Sequence, residues 1–121
     1  MALENMSYEE KSELTRNPST PLDVLRDLAT DESWGVRRSV AENPNTPLDI
    51  LRELAKDEYW PVRKYVAKNP KVSIKLLVML FEYEKSLKEP DSAVIRALYF
   101  HKDLPAFAKR VIETLFKEML P

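Results

Sequence analysis

One internal repeat constrains this chain more than any other feature. Residues 17–42 read NPSTPLDVLRDLATDESWGVRRSVAE and residues 43–68 read NPNTPLDILRELAKDEYWPVRKYVAK, and the two agree at 17 of 26 positions without a gap. A unit of this length cannot bury its apolar face alone, so tandem copies imply neighbours stacked along one axis. A third copy opens at Asn69-Pro70, where Ile74, Leu76, Leu77, Leu80 and Phe81 take the places of Leu48, Ile50, Leu51, Leu54 and Ala55. Its second half drifts: an insertion of about six residues around Glu82–Pro90 precedes Ile95-Arg96, read as the replacement of the Val-Arg pair, and Leu104-Pro105 restarts the pattern. Upstream, Tyr8–Arg16 lies where the second half of a preceding unit would fall.

Each unit carries signals for two helices. Thr20-Pro21-Leu22-Asp23 and Thr46-Pro47-Leu48-Asp49 read as helix starts, with threonine as N-cap, proline at the first position and an acid placed for a capping box and the helix dipole. Apolar residues at 22, 25, 28 and 29, and at 48, 51, 54 and 55, then form one stripe. The second helix begins after Asp31 or Asp57, turns Val36, Val40 and Ala41 or Val62, Val66 and Ala67 inward, and ends at the next Asn-Pro, since proline disfavours helical geometry in the residue before it. Pro61 fits only in the first turn, with a start near Tyr59. No segment reads as a strand.

The string Asn-Pro-x-Thr-Pro-x-x-x-Leu-x-x-Leu-Ala-x-Asp followed by Val-Arg-x-x-Val-Ala resembles the leucine-rich repeat variant family, a relative of HEAT and armadillo repeats, over residues 17–81. The resemblance implies an all-α, right-handed α-solenoid of stacked helix pairs, about 26 residues per repeat, closed by degenerate capping repeats. The expected organisation is one domain over 1–121: an N-terminal cap at 1–16, repeats at 17–42 and 43–68, a divergent repeat with an insertion at 69–104, and a C-terminal cap helix at 105–121. The founding type of the family carries a cysteine-bound iron–sulfur cluster in a separate segment, and with no cysteine in this chain that property is not carried over. HEAT-like repeats also occur in bilin lyase subunits and in a class of DNA glycosylases, so likeness of fold alone spreads the functional expectation widely.

Two polar features recur with the unit. Asp31 with Arg37, and Asp57 with Arg63, keep a six-residue spacing; likeness to HEAT repeats implies a ladder in which the aspartate caps the second helix and the arginine reaches an aspartate of its own or the next unit. An arginine flanked by inward valines must be paired, because its charge persists at every relevant pH. Trp34 and Trp60 fall in the first turn of the second helix, as packing across the junction or as a pair of surface anchors. The columns that differ between units, Thr30/Lys56, Ser33/Tyr59, Ser39/Tyr65 and Glu42/Lys68, give the second unit two tyrosines and two lysines beside Arg63 and Lys64.

Catalysis finds little support. His101 is the only histidine and reads as a loop or cap residue, and there is no cysteine, so a common zinc site is excluded. The one glycine, Gly35, rules out a glycine-rich phosphate loop. Glu9 with Glu10, and Glu82 with Glu84, are spaced too closely to share a helix face. No cofactor and no metal are expected.

Net charge is −1, drifting from −2 in each of residues 1–16 and 17–42 to +1 in 43–68 and +2 in 69–121, so no overall positive field draws the chain to nucleic acid or anionic lipid. The absence of a membrane-length apolar run, of a leader pattern at Met-Ala-Leu-Glu-Asn and of cysteine reads as a cytoplasmic protein. The expected function is a non-catalytic scaffold or adaptor that binds a peptide or protein through Trp34, Arg38, Tyr59, Trp60, Lys64 and Tyr65. Four helix layers offer a face of about 600 Å², below the ~800 Å² of a standard interface, which suits a monomer or weak homodimer wrapping a peptide. The alternative is a nucleic-acid-binding module that places Arg63, Lys64 and Lys68 on phosphates. A bilin-lyase-like subunit ranks third.

Overall fold

A computed structural model describes residues 3–121. The described residues form eight α-helices, α1 (Tyr8–Arg16), α2 (Leu22–Leu28), α3 (Trp34–Glu42), α4 (Leu48–Leu54), α5 (Trp60–Lys68), α6 (Ile74–Ser86), α7 (Ser92–Tyr99) and α8 (Ala106–Leu115), with 3₁₀ turns at Leu3–Asn5 and Lys117–Met119 and no strand. Consecutive helices pack on each other, giving the α-solenoid architecture that the repeat implies.

The helices sort into two layers. α1, α3, α5 and α7 pack side by side in sequence, each against the next, whereas α2, α4, α6 and α8 pack on their sequence neighbours and not closely on one another. The odd-numbered helices form the closely packed layer, and its exposed side is called the inner face here. Between the layers run Leu25, Leu28, Val36, Val40, Ile50, Leu51, Val62, Val66, Leu77, Leu80, Phe81, Ile95, Leu98 and Ile112, all essentially inaccessible to solvent. Each such side chain contributes about 1.5–3 kcal/mol relative to exposure, against the ~0–1 kcal/mol of a surface ion pair, so this seam holds the layers together.

Two readings of the first helix need correction. Thr20 and Thr46 do not cap α2 and α4. Pro21 and Pro47 occupy the cap positions without a side-chain bond, and the threonine hydroxyls donate backwards, to the carbonyls of Leu14 and Val40 at the ends of α1 and α3. Threonine here closes the preceding helix rather than opening the next. Leu22 and Leu48, assigned to the inward stripe, are 54% and 39% exposed, as is Ile74 at 56%. With helices of only seven residues, two turns suffice to bury the later leucines, and the first residue projects beyond the seam.

α5 starts at Trp60 with Pro61 in its first turn, where a missing N–H costs nothing. The helix ends are tied by the asparagines that precede each Asn-Pro proline. Asn17, Asn43 and Asn69 each accept, through Oδ1, the backbone N–H two residues on, from Ser19, Asn45 and Lys71. Asn43 and Asn69 are also buried and donate through Nδ2 to the preceding turn of the stack, Asn43 to Thr15 and Asn69 to Ala41 and Asn43. These side chains satisfy carbonyls that a helix end leaves without a partner.

α6 has 13 residues where α2 and α4 have 7. Past this extension the register differs from the sequence reading by one residue. Val94 and Ile95 are both buried and Arg96 is exposed, so the inward pair matching Val62 and Arg63 is Val94 and Ile95, and Arg96 matches Lys64. His101 then falls in the asparagine column and does the asparagine's work: its Nδ1 accepts the N–H of Asp103 at 3.0 Å. The assignment of Ile95-Arg96 to the Val-Arg pair is thus replaced, because six inserted residues carry the pattern 32 rather than 26 positions along.

Candidate functional site on the inner face

The Asp/Arg residues form a ladder that crosses between units. Lys11 binds Asp31 at 2.6 Å, Arg37 binds Asp57 at 2.6 Å and Arg63 binds Glu84 at 2.7 Å, with side-chain exposures falling from 14% and 10% through 11% and 8% to 5% and 0%. Each arginine also donates to the carbonyl six residues back, Arg37 to Asp31 and Arg63 to Asp57. Asp31 and Asp57 accept the N–H of Ser33 and Tyr59. The Asp57 hydrogen bond raises the Arg37 pKa above its ordinary value despite partial burial. All of these groups are consumed by the fold. Arg63 in particular lies against Glu84 through two nitrogens, so it is not placed to meet a phosphate, contrary to the nucleic-acid reading.

The six residues proposed for the face fall into two groups on α3 and α5, together called the aromatic band here. Trp34 stacks on Tyr59 of the next unit, centroids 6.3 Å apart at 27°, and both remain near 40% exposed. Arg37 also lies against this pair, 5.6 Å from the Tyr59 centroid. Arg38 lies 4.6 Å from the Tyr65 centroid, and Lys64 lies 5.5 Å from the same ring and 6.0 Å from Trp60. The two tryptophans do not form a direct pair: Trp34 meets Tyr59, and Trp60 meets Lys64. Each cation–π contact contributes only about 0.5–1 kcal/mol at an exposed site. Their larger effect is to hold long cations in one rotamer, which lowers the entropy lost when a partner binds.

Two grooves flank the band. The first, ≈ 450 Å³ between α1 and α3, is lined by Tyr8, Arg16, Arg38, Ser39 and Glu42 among others. Its charge is largely internal, since Arg38 binds Glu42 at 2.7 Å and that bond raises the Arg38 pKa. The second, ≈ 670 Å³ between α5 and α7, is lined by Lys64, Lys68, Arg96, Phe100 and His101 around three alanines. Sequence reasoning missed Arg96, Phe100 and His101 as groove residues because the register after α6 was one position out. Among the described residues no three His, Asp or Glu side chains converge to hold a metal ion, and no helix is long and apolar enough to cross a membrane.

The leucine rich repeat variant family model matches residues 34–58, from the start of α3 to two residues before α5. No curated protein and no solved structure matches the chain.

Proposed function

We propose that this chain is a non-catalytic repeat scaffold that binds a peptide segment of another protein along its inner face. One observation carries the reading: two neighbouring groups drawn from both repeats, Trp34 with Tyr59 and Arg38, Tyr65, Lys64 and Trp60, leave aromatic rings and cations partly exposed on the same pair of helices. Aromatic and cationic side chains of this kind supply most of the energy in protein interfaces. A row of four short helices offers too little area for a standard globular interface, so an extended segment that runs along the row is the better occupant. The non-catalytic part of the reading is supported by His101, whose Nδ1 is engaged by Asp103, and by a sequence without cysteine.

The test is selection from a displayed peptide library, comparing the wild-type chain with the double variant Trp60→Ala, Tyr65→Ala after circular dichroism has established that both are helical. Enrichment of related peptides by the wild type, lost with the variant, supports the assignment. Equal enrichment by both removes this face from consideration.

A further inference from the structure

We propose that the groove between α5 and α7 is a seat for carboxylates, so that the segment bound by this face is acidic at the end lying over α7. The inference rests on the scaffold reading above and adds the chemistry of the partner. Lys64, Lys68 and Arg96 line one concavity of ≈ 670 Å³ that no Asp or Glu lines. None of the three makes an ion pair among the described residues, where the ion pairs use Lys11, Arg26, Arg37, Arg38, Arg63 and Lys85 and leave other cations unpaired as well; what sets these three apart is the shared concavity without an acid. Three like charges gathered in a concave site repel one another, and an anion relieves that repulsion.

The spacing indicates what kind of anion fits. Lys64 and Lys68 are four residues apart on α5, hence about 5–6 Å between their Cβ atoms, and Arg96 stands in the Lys64 column of the adjacent helix, about 8–10 Å away. An extended peptide presents same-side residues every ~6.6 Å, so acids at alternate positions reach two of these cations. The alanines at 67, 93 and 97 leave room for its backbone, and Phe100, 63% exposed, supplies an apolar wall. Toward α3 the charge is neutralised by Arg38 and Glu42 and the aromatic band begins, which suits apolar residues further along the same segment. A nucleic acid fits less well, because its evenly spaced phosphates would continue from the groove toward residues 1–42, which carry a net −4.

The experiment is fluorescence anisotropy with a labelled octapeptide of alternating Glu and Tyr, its counterpart with Gln for Glu, and an oligothymidylate, each titrated with the full chain. The acidic peptide is expected to bind at least about tenfold more tightly than the Gln peptide, and Lys68→Glu with Arg96→Glu to abolish that preference. Lys68→Glu alone leaves the Arg96 to Met119 hydrogen bond intact and is expected to lose about half of the preference on a logarithmic scale. Unchanged binding of the acidic peptide by both variants overturns the proposal, as does tighter binding of the oligothymidylate than of the peptide at physiological salt. If the Gln peptide binds equally well and both peptides are lost with Trp60→Ala, Tyr65→Ala, the carboxylate seat fails while the scaffold reading stands. If neither these peptides nor any library peptide binds, both fail.

Discussion

Arg63 and Glu84 face each other inside the protein through two hydrogen bonds, Nε to Oε1 at 2.7 Å and Nη2 to Oε2 at 3.1 Å, with the Glu84 carboxylate fully buried. Removing one member leaves the other as an uncompensated buried charge. Glu84→Leu is therefore expected to cost about 3–5 kcal/mol in urea denaturation. The double change Arg63→Met, Glu84→Leu should cost markedly less, and the difference reads the coupling. It will not be free, because the Asp91 N–H and the Asp57 carbonyl also lose partners. Arg26→Ala, which breaks a half-exposed pair with Asp49, is expected to cost under about 1 kcal/mol. Equal losses for Glu84→Leu and Arg26→Ala would contradict this account.

The asparagines give a second comparison within one column. Asn69 is buried and its side chain makes three hydrogen bonds, to Ala41, Asn43 and Lys71, whereas Asn17 is exposed and accepts only from Ser19. Asn69→Ala strands two buried carbonyls and unpairs one part-buried N–H, and is expected to lose about 2–4 kcal/mol. Asn17→Ala should lose about 0.5–1 kcal/mol. Thermal denaturation of the two variants side by side measures the difference.

How far these relationships could be read in advance depends on the column. Helices α3 and α5 and the inward valines follow from the doubled repeat, because two copies must solve the same packing problem. The recurrence of Asn17, Asn43 and Asn69 was equally visible, but an Asn-Pro pair reads as a helix boundary, and the bond from Asn69 back to the preceding unit is invisible without the stacking. Beyond α6 residue identity misled. Ile95-Arg96 resembles Val-Arg in letters, whereas burial matches Val94 and Ile95 to the inward pair. The inner-face cluster was legible from the columns that vary, Ser33/Tyr59 and Ser39/Tyr65, yet its C-terminal groove depended on the register that the insertion displaced.

Tyr99 provides a pH-dependent reading near the C-terminal end. Its hydroxyl donates to Glu113 at 2.7 Å, and that hydrogen bond holds the phenol above the ordinary tyrosine range. A group whose folded pKa is raised contributes stability fully present below its unfolded value and lost as pH rises through the folded one. Ultraviolet titration should show a Tyr99 component ionising later than a free phenol. The late component should vanish with Tyr99→Phe and move toward the ordinary range with Glu113→Gln.

Gly35 and Tyr8 show how the inner face is closed at its N-terminal end. A Cβ at position 35 would lie 2.7 Å from the Tyr8 hydroxyl and 2.9 Å from its ring, so the glycine lets Tyr8 lie across the first turn of α3 on the wall of the first groove. The atoms met are the far end of a half-exposed side chain, which can swing out at small cost. Alanine meanwhile regains up to ~1 kcal/mol of helix preference over glycine. The two effects oppose each other, so Gly35→Ala is expected to change stability by less than about 1 kcal/mol while displacing Tyr8. In a Tyr8→Ala background the steric conflict is gone, and Gly35→Ala should then be stabilising. Denaturation of the four proteins gives the cycle, and a loss of several kcal/mol from Gly35→Ala alone would mean that Tyr8 is held in place far more firmly than its exposure implies.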